Sequence, residues 1–295
     1  MPAKRHIQGD CLLLLTAMIW GSAFVAQKVG MEHIGPFVFN GVRFGLGALV
    51  LTPLALRTKG PQSFVNPKQP APSLLFSGLL AGLFLFAGSS LQQVGIIYTT
   101  AGKAGFITGL YVIIVPLLGL FWGQKAGRGA WLGACLAVLG LYLLTVKTGF
   151  TISPGDGLVF LCALMFALHV LTIGWLAPRV EVIKLAVGQF WVCSLFSLVV
   201  GLLVEHTSWS DLIDASVPIL YGGLLSVGVA YTLQVVAQRK APPTHAAIIL
   251  SLETVFAVFS GCLLLGETLT TRAWLGCGLM LCGMLAAQLE TPAQT

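Results

Sequence analysis

Charge is scarce in this chain of 295 residues: Asp, Glu, Lys and Arg make up 9% of it, where soluble domains carry about 25%. Sixteen basic and ten acidic residues are too few to cover a soluble surface of this size. That shortage excludes a soluble enzyme, a nucleic-acid binder and a disordered tail together. A cysteine framework is missing as well. The seven cysteines are odd in number, form no C-x-x-C, and lie in or at the ends of apolar runs, so they read as small packing residues rather than disulfides or metal ligands. No metal site is expected, and nothing calls for a cofactor. No G-x-x-x-x-G-K-[ST] loop is present to couple ATP hydrolysis to movement. Intramembrane enzymes would need H-E-x-x-H, G-x-S-x-G or paired carboxylates within the bilayer, and these are absent too.

What is present is apolar sequence, 57% of all residues, interrupted at spacings that suit a bilayer. A hydrocarbon core about 30 Å thick takes roughly 20 apolar residues per helix. Ten such stretches appear, at roughly 10–30, 36–56, 73–94, 99–122, 129–146, 155–177, 182–204, 216–238, 243–265 and 272–289. Gln69 to Gly102 carries no charge and is too long for one span, so a turn is expected near Gln92-Gln93 and Tyr98-Thr99-Thr100. Continuous runs such as Leu12 to Leu15 are unlike the alternating strands of a barrel. Lys4 and Arg5 before an apolar run resemble a signal peptide, but the run is long and nine more follow, so it is expected to be an uncleaved first span. The fold class is therefore an all-α polytopic membrane protein with ten transmembrane helices.

Basic residues test that count, because cytoplasmic loops carry the excess of Lys and Arg. With the N-terminus inside, one face holds Lys4, Arg5, Arg57, Lys59, Lys68, Lys125, Arg128, Arg179, Lys184, Arg239 and Lys240. The other holds only Lys28, Lys147 and Arg272, while Arg43 and Lys103 fall within spans. Both termini are therefore expected in the cytoplasm. The net charge of +6 reflects topology and is no sign of a nucleic-acid partner.

Weak self-similarity recurs at about half the chain length. Gly9-Asp10 matches Gly155-Asp156, Phe44 matches Phe190, Leu91-Gln92 matches Leu233-Gln234, and Ala130-Trp131-Leu132-Gly133 matches Ala273-Trp274-Leu275-Gly276. Two units follow, 1–148 and 149–295. Each holds five spans, an odd number, so the second must enter the membrane inverted. Inverted repeats are characteristic of secondary transporters, in which two similar halves open a central site to either side in turn. Glycines spaced four apart, such as Gly41 and Gly45 or Gly78 and Gly82, suit close helix packing. Pro116, in the middle of the fourth span, is the expected hinge.

Several elements together resemble one family. The first span ends Met18-Ile19-Trp20-Gly21-Ser22-Ala23-Phe24, the second reads Pro36-Phe37-Val38-Phe39-Asn40-Gly41-Val42-Arg43-Phe44, and the ninth reads Ser251-Leu252-Glu253-Thr254 followed by Leu265-Gly266-Glu267-Thr268-Leu269. In order and spacing the chain is similar to two tandem units of the EamA family of the drug/metabolite transporter superfamily. The resemblance implies a ten-helix carrier of the bacterial inner membrane, often an exporter of amino acids or related small metabolites. Sugar, nucleotide-sugar and drug carriers of the same superfamily are the alternative. Thr254 stands where the family usually has proline, so no kink is assumed in the ninth span.

Polar residues within spans are the candidate substrate pathway, because each must face a partner or water. Arg43 either ties helix ends together or contacts a substrate carboxylate, and Asn40 lies one turn earlier on its face. Glu253 is the one clear intramembrane acid, either hydrogen-bonded across helices or acting as a proton-coupling or substrate-amine site. Lys103, flanked by Tyr98 and Tyr111, either snorkels or joins the pathway. Across the repeat Lys103 aligns with His245, Tyr111 with Glu253, and Arg43 with Gln189. His169 and Gln189 either bond between helices or line the path. Trp20, Phe24, Trp191 and Tyr231 are packing residues or an aromatic lining, and Glu267 reads as a helix-end contact. The expected partners are a small-molecule substrate, membrane lipid and protons.

Overall fold

Helix starts are set by residues that satisfy orphan backbone donors. In the computed structural model Ser73 accepts from the Phe76 amide, Glu181 accepts from the Lys184 amide, and Ser153 with Asp156 forms a capping box before a proline at the first helical position. The structure describes residues 3–58, 72–99, 101–124, 126–145, 153–265 and 270–289. These are helical throughout: α1 (Ala3–Gly30), α2 (Pro36–Arg57), α3 (Leu74–Tyr98), α4 (Ala101–Gly109), α5 (Tyr111–Phe121), α6 (Arg128–Thr145), α7 (Pro154–Leu176), α8 (Val182–Val204), α9 (Trp209–Asp214), α10 (Ser216–Leu220), a π-helical segment (Tyr221–Tyr231), α11 (Thr232–Gln238), α12 (Pro243–Leu250), α13 (Glu253–Leu265) and α14 (Thr271–Leu289).

Among the described residues eight helical stretches are long and apolar enough to cross a membrane, and two shorter apolar ones occur at Arg128–Leu144 and Thr271–Ala287. Those two belong to α6 and α14, which pack antiparallel on each other. Their contact depends on glycine. A Cβ at Gly133 would meet the Gly283 carbonyl at 2.6 Å, and one at Gly140 would meet the Gly276 carbonyl at the same distance. The backbones approach as closely as small residues allow.

Three features depart from the sequence reading. Gln92 and Gln93 are not in a turn: α3 continues to Tyr98, and both amides are buried within it. The fourth span is interrupted at Leu110, between α4 and α5, while Pro116 sits inside α5 without ending it. The ninth span is interrupted as well, at Ser251 and Leu252, although it lacks the proline. There the Ser251 hydroxyl donates to the Ile248 carbonyl at 2.8 Å, and the Leu252 and Thr254 amides bond three residues back. Side-chain competition for the backbone replaces proline as the cause of the break. The eighth span runs from Ser216 to Gln238 as expected, but its centre is π-helical, a geometry frequent at functional sites. Thr16 and Trp20 of α1 donate to carbonyls of that segment, at Ala230 (3.2 Å) and Ser226 (3.3 Å).

Candidate transport site

The two helix interruptions face each other. Tyr111 is the first residue after one and Glu253 the first after the other, and the Tyr111 hydroxyl stands 3.5 Å from Glu253 Oε1. At each interruption the chain keeps right-handed helical geometry and tightens, with the Leu110 amide bonded to the Ile107 carbonyl and the Leu252 amide to the Ile249 carbonyl. Around the Tyr111–Glu253 contact lies a small cavity with a mixed polar and aromatic lining. Its wall is built by Trp20, Phe24 and Gln27 from α1, Arg43 from α2, Gln92 from α3, Tyr111 from α5, and Phe166, His169 and Val170 from α7. Ser226 and Tyr231 of the π-helical segment, Gln234 of α11, Leu250 of α12 and Glu253 of α13 complete it.

Arg43 is 2% exposed, and no carboxylate lies within ion-pair distance of it among the described residues. Its Nε donates to Asn40 Oδ1 at 3.0 Å, and its guanidinium carbon lies 5.3 and 5.0 Å from the centroids of Phe39 and Phe44. One amide and two ring faces thus hold the head group in place, and its remaining N–H donors have no hydrogen-bond partner among the described residues. Tyr231 centres the aromatic wall, with ring centroids 4.4 Å from Trp20, 5.7 Å from Phe44, 6.1 Å from Phe190 and 6.2 Å from His169. His169 Nε2 and Gln189 Oε1 are 2.8 Å apart, an interhelical bond between α7 and α8.

Of the residues singled out in the sequence, Arg43, Trp20, Phe24, Tyr111, His169, Tyr231 and Glu253 meet in this cavity. Asn40 and Gln189 stand behind it and hold Arg43 and His169. Three others do not join. Tyr98 is 58% exposed at the end of α3, and Trp191 is 43% exposed and donates to the Thr52 hydroxyl. His245 pairs instead with Asp10, Nε2 to Oδ1 at 2.7 Å, and ties the start of α12 to α1. The Lys103 side chain and Glu267 lie outside the described residues. Gln27, Gln92, Phe166, Ser226 and Gln234 escaped the sequence reading. One signal pointed to two of them: Gln92 and Gln234 are matched across the repeat, a coincidence that apolar packing does not require.

The sequence model of the EamA-like transporter family matches residues 7–146 and residues 153–287. The chain belongs to the EamA-like transporter family. Among its relatives an uncharacterized transporter of Archaeoglobus fulgidus is 31% identical over 289 residues, covering 97% of this chain and 87% of that one. An uncharacterized inner membrane transporter of Escherichia coli is 25% identical, covering 92% and 88%. A probable amino-acid metabolite efflux pump of Salmonella typhimurium is 26% identical, covering 92% of each chain. A solved crystal structure shares the fold, with a TM-score of 0.75, 19% identity, and coverage of 95% of this chain and 96% of that one. This EamA-like chain is thus a multi-pass transporter of the inner membrane and not an enzyme.

Proposed function

We propose that this transporter exports an amino acid or a related small metabolite by alternating access, as a secondary carrier of ten spans in two inverted units, 1–148 and 149–295, with both termini cytoplasmic. The observation that carries the substrate reading is the pairing of opposite charges in one cavity. Among the described residues of its wall, Arg43 is the permanent cation and Glu253 the acid. A zwitterion satisfies both: its carboxylate meets the free guanidinium donors, and its ammonium meets the acidic pole. Trp20, Phe24, Phe166 and Tyr231 offer an apolar wall to the side chain, which suits aromatic or other apolar amino acids. The name of the Salmonella relative supports the same class.

Several observations support the inverted repeat. At the spacing that relates Gly9 to Gly155, Trp20 corresponds to Phe166 and Phe24 to Val170, and all four line the cavity. Exchanging the halves carries the Gly133–Gly283 contact onto Gly276–Gly140. Both interruptions fall at matched positions, just before Tyr111 and Glu253. Such breaks are where the halves flex between outward and inward access, and Glu253 is the proposed proton-coupling group, bound in turn by substrate ammonium and by a proton.

Counterflow in proteoliposomes with a panel of labelled amino acids tests the reading, and saturable exchange of at least one is expected. Movement of sugars or nucleotide-linked sugars with none of the amino acids would overturn it. Topology has its own test. Cysteines placed at Asp211 and Lys240, in a background without the exposed Cys11, Cys135 and Cys282, should react from opposite sides. Reaction of both from one side refutes the ten-span arrangement.

A further inference from the structure

A short hydrogen-bond chain behind the cavity fixes the orientation of a buried amide in its wall. It ends on a backbone carbonyl, Val170 O, which can only accept. Gln238 Nε2 donates to it at 2.9 Å, so the Gln238 amide has one allowed orientation and turns Oε1 the other way. Gln234 lies one helical turn earlier on α11, and its Nε2 donates to that oxygen at 3.0 Å. Flipping the Gln234 amide would set two carbonyl oxygens against each other. Its Oε1 is therefore committed as an acceptor, and it has no partner among the described residues although Gln234 is 1% exposed. Gln234 lines the cavity, whereas Gln238 does not. Gln27, also in the wall, has an unpartnered buried Oε1 as well. With the Glu253 carboxylate this makes a set of acceptors, and an ammonium group offers three donors to match them. Gln92, at the matched position of the first half, is held differently, donating to Thr108 Oγ1 at 3.4 Å, so the relay is peculiar to the second half.

We propose that Gln234 selects for a substrate ammonium group and that Gln238 is the positioning residue that turns its oxygen toward the cavity. The inference rests on the amino-acid reading above and names the group by which that substrate is recognised. An acceptor held away from water discriminates strongly, because an analogue without the donor leaves it unsatisfied.

Competition in the counterflow assay tests the relay. The probe pairs are phenylalanine with 3-phenylpropanoate, and leucine with 4-methylpentanoate, each acid lacking only the 2-amino group. In the wild-type protein the deaminated acid should inhibit at least about tenfold less well than its amino acid. Gln234→Leu should lower that ratio at least about threefold, with Glu253 and Gln27 keeping the remainder. Gln238→Leu leaves every cavity residue unchanged and should still lower the ratio, an effect that lost packing alone would not produce because it weakens both ligands alike. An unchanged ratio in inserted, exchanging Gln234→Leu or Gln238→Leu protein overturns the inference and leaves the amino-acid reading standing. Equal inhibition by both members of each pair in the wild type does the same. A wild type that moves neither phenylalanine nor leucine overturns the inference together with the specificity for apolar amino acids.

Discussion

The two halves of the chain place similar helices around the cavity and different chemistry on its wall. Arg43 is matched by Gln189, Glu253 by Tyr111, and Trp20 by Phe166. The third span of the first half is continuous α-helix through Gln92, whereas its counterpart is π-helical up to Tyr231 and ends in the Gln234–Gln238 relay. Some positions where the halves agree pack, such as Gly133 and Gly276, or Phe44 and Phe190, whose rings are 6.3 Å apart, while the matched Gln92 and Gln234 both line the cavity. Of the divergent pairs, Arg43, Glu253 with Tyr111, and Trp20 with Phe166 touch the cavity. In the proposed function, matched positions supply the scaffold and divergence within it supplies the cationic and acidic poles of the candidate site.

Making the halves alike should have the largest effect. Arg43→Gln installs the residue found at the matched position and removes the cavity's permanent cation. With a charged hydrogen-bond donor contributing about 1.5–3 kcal/mol, exchange should fall roughly 10- to 150-fold in protein that still inserts. Unchanged counterflow would remove Arg43 from the site. Gly140→Val attacks a position where the halves agree. Overpacking costs about 1–3 kcal/mol, so a lower thermal midpoint in detergent is expected, with little change in the substrate preference of what remains folded. A change of preference without loss of stability would count against a purely packing role.

Exchanging a divergent pair is subtler. Tyr111→Glu combined with Glu253→Tyr moves the acid across the same contact, and exchange should stay within about tenfold of wild type, or roughly 1.4 kcal/mol. Flux as low as that of Arg43→Gln would mean that the two breaks are not interchangeable. The smallest effect belongs to His245→Ala, which removes the pair with Asp10. Both groups are 18% exposed, and such a pair contributes about 0–1 kcal/mol, so the thermal midpoint should move by less than about 4 °C. Asp156, matched to Asp10, accepts instead from Thr99 and Ser153, and its replacement should leave the α1–α12 junction unaffected in a cysteine-crosslinking assay.

Most of the fold was legible because a bilayer imposes one demand along the whole chain. Each span must be apolar for about 20 residues, and that leaves a one-dimensional record. The expected span 216–238 coincides with the helical stretch observed, and 182–204 does as well. Short interruptions left a weaker record. Leu110 and Leu252 are ordinary apolar residues, and proline was a poor guide: Pro116 sits within a helix, and the break at Ser251 has no proline. The site was half legible. Arg43 and Glu253 stood out because a buried charge is rare enough to demand a reason. Gln27 and Gln234 did not, because an uncharged amide within a span serves equally well as a packing bond.

Composition and the placement of charge alone determined that this chain is a multi-span membrane protein and that Arg43 and Glu253 are buried within it. These properties depend on the solvent each segment meets, and solvent preference is additive along a sequence. Tertiary structure alone decided that Arg43 and Glu253 share one cavity, that His245 stays out of it, and that Gln238 fixes the orientation of the Gln234 amide. Each of these depends on hydrogen bonds between residues far apart in the chain, which only the packed helices bring within reach.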